Sequence, residues 1–223
     1  MSAPPLVIYG ASGYASAAAD VFESWVPEPL ATVVAYIDDV RGDNGSSIGT
    51  APVISFDTWA TRHRDTPIFV TIGDPIGRRK LVERISAAGG RFSSFYRNAG
   101  PVARDVIVGT DTMILAYSSV GAGTVIGDHV HVMPLCSIDA GCTIGDFTTL
   151  CPMAAISGRV VIEEGVFVGV GARIANESDD VMTIGAGATI AAGAVVMRSV
   201  EPGETLAGNP ATDYRSLAKR RAT

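Results

Sequence analysis

The stretch "ILAYSSVGAGTVIGDHVHVMPLCSIDAGCTIG" (residues 114–145) repeats itself every six residues. Ile114, Val120, Ile126, Val132, Ile138 and Ile144 are aliphatic at one fixed place of each hexad. Four places later stand Ser118, Thr124, Val130, Cys136 and Cys142, all small or β-branched. The register starts at Val102 and runs without a miss to Ile174; it breaks over ANESDDVMT (175–183) and resumes at Ile184, Ile190 and Val196. A period of six is neither the roughly 3.6 of a helix nor the plain alternation of a strand. It marks a hexapeptide β-helix, a prism in which six residues make one side and eighteen make a three-sided coil. The aliphatic residue points at a narrow axis and the small one fills the same layer. Glycine or a small polar residue often follows the aliphatic one, where the chain is expected to turn a corner. Coils stack at about 4.8 Å, so side chains one coil apart share a column. Flat outer faces of this kind predict a cyclic homotrimer with ligand clefts between neighbouring prisms.

The residues before the repeat follow a different grammar. PLVIYG (5–10), ATVVAYIDD (31–39) and TPIFVTIGD (66–74) read as strands, and ASGYASAAADVFESW (11–25) and PIGRRKLVERISAAGG (75–90) read as helices, the latter stopped by Gly89 and Gly90. Strands alternating with helices predict a parallel sheet with crossover connections. The chain therefore divides into an α/β Rossmann-like domain (1–100), a β-helix (101–208) and a C-terminal tail (209–223).

Composition narrows the function classes. A net charge of −6 argues against non-specific nucleic-acid binding, and the one basic cluster, AKRRAT (218–223), reads as a solvated end. A charged fraction of 18% beside 25 glycines fits a fold with many backbone corners. Cys136, Cys142 and Cys151 lie within sixteen residues and, with no secretory leader in MSAPPLVIYG, read as reduced thiols of a cytoplasmic protein. No stretch approaches the roughly 18 apolar residues that a membrane span needs.

YGASGYA (9–15), AYIDD (35–39), TIGDPIGRRK (71–80), the hexads and the closing LAGNPA (206–211) occur in an order that resembles the bacterial sugar O- and N-acyltransferases. That family pairs a small Rossmann-like nucleotide-sugar domain with a left-handed parallel β-helix, and it includes sialic acid O-acetyltransferases and enzymes that N-acetylate nucleotide-linked amino-sugars. The resemblance implies that Gly10, Ser12, Gly13, Tyr14, Asp38, Asp39 and Gly73 face the nucleotide-sugar. It also implies that acetyl-CoA, or another acyl-CoA, is the co-substrate and lies in the cleft between two prisms near Thr149, Gly158, Val170, Ala191 and Ala192. On its own, GASG is also compatible with a plain strand–helix turn, and small residues are what a tight prism needs.

The chain departs from that family at its base. Relatives carry an acid–His–acid triplet before the cysteine of one hexad, whereas here the aligned residues are Asp139, Ala140, Gly141 and Cys142. A second family histidine is replaced by Thr149. His131 shares a column with Met113 and Thr149, which leaves it either a relocated base or cofactor contact, or a surface or interface histidine. Asp139 is a second candidate, although a carboxylate is a weak base toward an ammonium group. His129 shares its column with Asp111 and Phe147, on another part of the face. Cys136 and Cys142 point inward and are poor nucleophiles, and the histidines are too scattered for a metal site. The expected reaction is acyl transfer to the amino group of a nucleotide-linked amino-deoxysugar, by direct attack with an atypical or absent protein base. The alternatives are sugar O-acetylation, and a homologue that binds nucleotide-sugar without turnover.

Overall fold

The computed structural model describes residues 3–23, 29–93 and 100–213; the basic tail and the last two residues of the expected first helix lie outside them. The chain divides into two compact units, 1–95 and 96–223.

In the first unit, β1 (Pro5–Tyr9) pairs in parallel with β2 (Thr32–Ile37), and α1 (Gly13–Glu23) connects them. The other elements are β3 (Ser47–Ile48), β4 (Ala51–Ile54), α2 (Phe56–Arg62), β5 (Ile68–Val70) and α3 (Pro75–Ala87). The sheet order is β3-β4-β2-β1-β5, with β3 alone antiparallel. β1 lies between two parallel partners, and Leu6, Val7 and Ile8 are fully buried, as expected for a strand covered on both faces. The sequence reading omitted β3, β4 and α2. β4 has four residues, one of them Pro52, so its pattern is too short to stand out. α2 has seven residues and begins where the Ser55 hydroxyl accepts the Thr58 N–H at 3.1 Å. Asp74 caps α3 in the same manner, accepting the Gly77 N–H.

The second unit is the left-handed β-helix. Its three sheets are made of two- and three-residue strands whose partners lie one coil away: Ile126 pairs with Ile144, Val132 with Leu150, and Ile138 with Ile156. The aliphatic and fifth-place residues form one buried core along the axis. Polar fifth-place residues are buried as well, and each has a partner. Thr112 donates to the Gly127 carbonyl at 2.7 Å, Ser118 to that of Met133 at 3.0 Å, Thr124 to that of Asp139 at 3.1 Å, and Thr148 to that of Glu163 at 3.1 Å. Cys136 and Cys142 repeat this contact through sulfur, to the Cys151 and Ser157 carbonyls. A hydroxyl or thiol in the axis thus satisfies a corner carbonyl instead of leaving it orphaned.

The corner chemistry differs from expectation. The left-handed backbone falls at the fourth place of the hexad, not at the glycine after the aliphatic residue. Asp111, Tyr117, His129, Leu135, Phe147, Met153 and Arg159 all adopt it, with φ between 51° and 66°. The second-place glycines serve close approach instead: a Cβ on Gly169 would lie 2.5 Å from the Ala192 nitrogen in the coil above. After Ile174 the inserted loop lengthens one coil, so Ile162 pairs with Ile184, and the prism continues above it. The tail starts as structure, since Thr212–Asp213 pairs antiparallel with Thr205–Ala207.

Two alanine substitutions separate the two glycine roles. Gly171 (φ 66°) faces open space, so Gly171→Ala is expected to cost about 1 kcal/mol of backbone strain. Gly169→Ala meets backbone and is expected to cost about 3 kcal/mol. Denaturant titration of the two variants gives the order, and equal losses would contradict it.

Candidate functional site

β1 ends at Tyr9, and the chain turns at Gly10 (φ 120°) into α1. A Cβ on Gly10 would lie 2.5 Å from the Thr71 hydroxyl, which itself donates to the Tyr9 carbonyl at 2.9 Å. The end of β5 therefore requires glycine at this position. Gly13 is different, because a Cβ there would meet nothing within 4 Å. Beside the loop lies a cavity of about 340 Å³, whose wall includes Gly10, Ser12, Asp38 and Asp39. Gly13, Tyr14 and Gly73 are not in that wall. The Gly73 carbonyl instead accepts from the fully buried Arg78, as does that of Ile72 at 2.7 Å.

The two acids of the IDD turn have different tasks. Asp38 Oδ1 accepts the backbone N–H groups of Val40 and Arg41 at 2.8 and 2.9 Å, which closes the turn. Asp39 Oδ2 accepts the Tyr9 hydroxyl at 2.5 Å and Arg84 Nη1 at 2.9 Å. The Arg84 guanidinium also lies 3.8 Å over the Phe56 ring. Burial, then the bond to Asp39, holds the Tyr9 phenol above its usual range, so it remains a donor at neutral pH. Tyr9, Phe56 and Arg84 were missed in the sequence, where nothing in their spacing links them to Asp39.

On the β-helix, Asp139, Ala140 and Gly141 form an exposed corner. Gly158 lies in the coil above, where an added Cβ would sit 3.2 Å from the Ala140 carbonyl. The inserted loop belongs to the same corner. Asn176 donates to the Asp180 carbonyl at 2.9 Å, its N–H reaches the Ser157 hydroxyl, and Arg159 donates to the Ser178 carbonyl at 2.8 Å. Val170, Ala191 and Ala192 lie at a different corner, where the Gly193 N–H donates to the Val170 carbonyl at 2.8 Å. Thr149 is on the strand 149–150, nearly buried at 2% exposure. The expected cofactor residues are thus spread around one prism and line no single groove of it.

His131 is more deeply buried than its outward-facing place suggests. It lies between Met113 and Thr149 on the strand 131–132, as its column requires, but it is 0% exposed and so offers no open face to an acceptor within one chain. His129 has φ 56° and places Nδ1 3.0 Å from Asp111 Oδ2, while its ring stacks on Phe147 at 4.9 Å. The shared column was foreseen, but not the buried acid–imidazole pair it forms. Removing the carboxylate takes a buried hydrogen-bond partner from His129 Nδ1 and puts alanine at a left-handed backbone position. Asp111→Ala is therefore expected to lower stability by about 3 kcal/mol in denaturant titration.

Among the described residues no group of three His, Cys, Asp or Glu side chains could hold a metal ion, and no helix is long and apolar enough to cross a membrane. All three cysteines are free. Burial pushes the Cys136 thiol up to about 12 and raises those of Cys142 and Cys151 as well. A raised thiol stays protonated at neutral pH and is a poor nucleophile. Iodoacetamide at pH about 8, near the free-thiol pKa, is expected to leave Cys136 and Cys142 unlabelled in the native protein and to label both after denaturation. Rapid native labelling of either, read by mass spectrometry, would contradict the core placement.

Residues 5–85 match the family described as the PglD N-terminal domain. WeeI from Acinetobacter baumannii AYE is 26% identical, with a TM-score of 0.83 over 93% of this chain and 98% of that one. PerB from Caulobacter crescentus, solved with CoA and GDP-perosamine, is 28% identical, with a TM-score of 0.80 over 94% and 96%. The acetyltransferase domain of PglB from Neisseria gonorrhoeae FA1090, solved with acetyl coenzyme A, is 28% identical, with a TM-score of 0.79 over 95% and 100%. No curated protein matches the sequence. The first unit thus matches the PglD N-terminal domain, and nearly the whole chain is similar to proteins that include an acetyltransferase domain and a GDP-perosamine N-acetyltransferase.

Proposed function

We propose that the protein transfers an acetyl group from acetyl-CoA to the amino group of a nucleotide-linked amino-deoxysugar. The observation that carries this reading is the likeness to PerB across both units, at 28% identity, where the relative was solved with CoA and GDP-perosamine. The nucleotide end is assigned to the cavity beside Gly10 and Asp38, and acetyl-CoA to the β-helix. The spread of Gly158, Val170, Ala191 and Ala192 over two corners of one prism supports a homotrimer, in which a corner of one copy lies beside a different corner of its neighbour. Free thiols and a CoA co-substrate support a cytoplasmic site of action.

The resemblance places an acid–His–acid triplet where this chain has the exposed Asp139-Ala140-Gly141 corner, and His131 is buried. The step that fits these residues is attack by the neutral amine on the thioester carbonyl. The N–C bond forms, the C–S bond breaks, and the thiolate leaves with its electron pair. The proton of the attacking nitrogen goes to that thiolate, directly or through water. An alkyl hydroxyl is much less nucleophilic when neutral, so the missing base favours N- over O-acylation.

Release of CoA thiol should be measured with GDP-, UDP- and dTDP-linked amino-sugars and with the matching hydroxyl sugars. Turnover is expected for at least one amino-sugar and for none of the hydroxyl sugars, with Asp139→Asn within about threefold of wild type. A loss of about a hundredfold or more in Asp139→Asn would make Asp139 the base. Binding of nucleotide-sugar and acetyl-CoA without turnover of any acceptor would overturn the enzymatic reading.

A further inference from the structure

The cavity beside Gly10 contains an electrostatic mismatch. Its described wall carries two carboxylates, Asp38 and Asp39, and a single guanidinium, that of Arg41. A nucleoside diphosphate would bring at least two more negative charges into this space. Loop N–H groups supply only partial positive charge, so a nearby guanidinium would add substantially to the binding of a diphosphate.

Two arginines approach the acidic pair, and they are held differently. Arg84 Nη1 bonds both Asp39 and Tyr9, at 2.9 and 3.0 Å, and the guanidinium lies over Phe56, so this side chain is anchored away from the described wall of the cavity. Among the described residues the Arg41 side chain makes one hydrogen bond, from Nη1 to the Ala11 carbonyl at 3.1 Å. Its Nε is 3.8 Å from Asp38 Oδ2, beyond hydrogen-bond range, and the side chain is 51% exposed. Nη2 bonds to nothing among the described residues. The Ala11 contact tethers the guanidinium to the glycine loop itself, one residue from Ser12.

Resting on the nucleotide-sugar reading of this cavity, we infer that Arg41 is the cation that takes up the diphosphate, exchanging its loose contact with Asp38 for charge-assisted bonds to phosphate oxygens. Arg84 is a positioning residue that keeps Asp39 and Tyr9 fixed where the nucleoside lies. Asp38 holds the turn through backbone N–H groups, so replacing the Arg41 side chain leaves that turn intact.

Equilibrium binding of guanosine, uridine, GDP and UDP to the full chain tests this, with circular dichroism as the folding control. For whichever nucleotide binds wild type, Arg41→Gln is expected to weaken the diphosphate roughly tenfold or more and to leave the nucleoside unchanged. Its diphosphate binding should also lose much of its salt dependence. Arg41→Lys should fall between, keeping the charge but not the fork. Arg84→Gln should weaken nucleoside and diphosphate together. Unchanged diphosphate binding in Arg41→Gln, or equal losses for nucleoside and diphosphate, overturns the assignment. If neither diphosphate binds wild type, the nucleotide reading of the cavity fails instead.

Discussion

The β-helix rests on the room available at its axis. Three sides wound at strand spacing leave each layer space for one aliphatic side chain per side and a small one beside it, and every coil must meet that limit. Where the small residue is polar, the same limit makes it useful: Thr112, Thr124 and Thr148 turn inward and each closes a corner carbonyl. Where coils meet at a corner, the limit passes to the backbone, and Gly169 has no side chain because Ala192 leaves none a place. Core, corners and sheets are thus three expressions of one packing condition. The outer surface is left free to vary, and the exposed Asp139-Ala140-Gly141 corner is bound by no such limit.

The first unit obeys a different economy, since charge rather than volume is the scarce quantity. Each carboxylate of the acidic turn has its own arginine, one fixed by Tyr9 and Phe56 and one loosely tethered. Such a site is near neutral when empty. It can hold its shape without ligand and still offer a cation to an incoming anion.

Much of this was legible in the chain. The hexad register named the inward residues of the β-helix, because a strict period leaves no freedom about which side chains face the axis. Columns followed from the same register, including those of His131 with Thr149 and of Asp111 with His129. Burial of the outward-facing side chains did not follow, since periodicity says which way a residue points but not what covers it. The complete burial of His131 was not foreseen for that reason. The Tyr9–Asp39–Arg84 group was invisible for another: its members come from two strand ends and a helix, and only tertiary folding brings them together. The four-residue β4 and seven-residue α2 were lost because such short elements carry too few residues for any period to register.

The inserted loop at 175–181 shows how local the architecture is. Four extra residues enter one coil, and the next layer still lands Ile184 on Ile162. Nearly every contact in the β-helix joins residues about one coil apart, so the mean sequence separation of contacts stays constant however many coils are stacked. Relative contact order then falls as the chain lengthens, opposite to the trend of sheets built from distant strands. A β-helix of this kind can gain or lose whole coils, and with them the depth of its binding surfaces, with little change in the difficulty of folding.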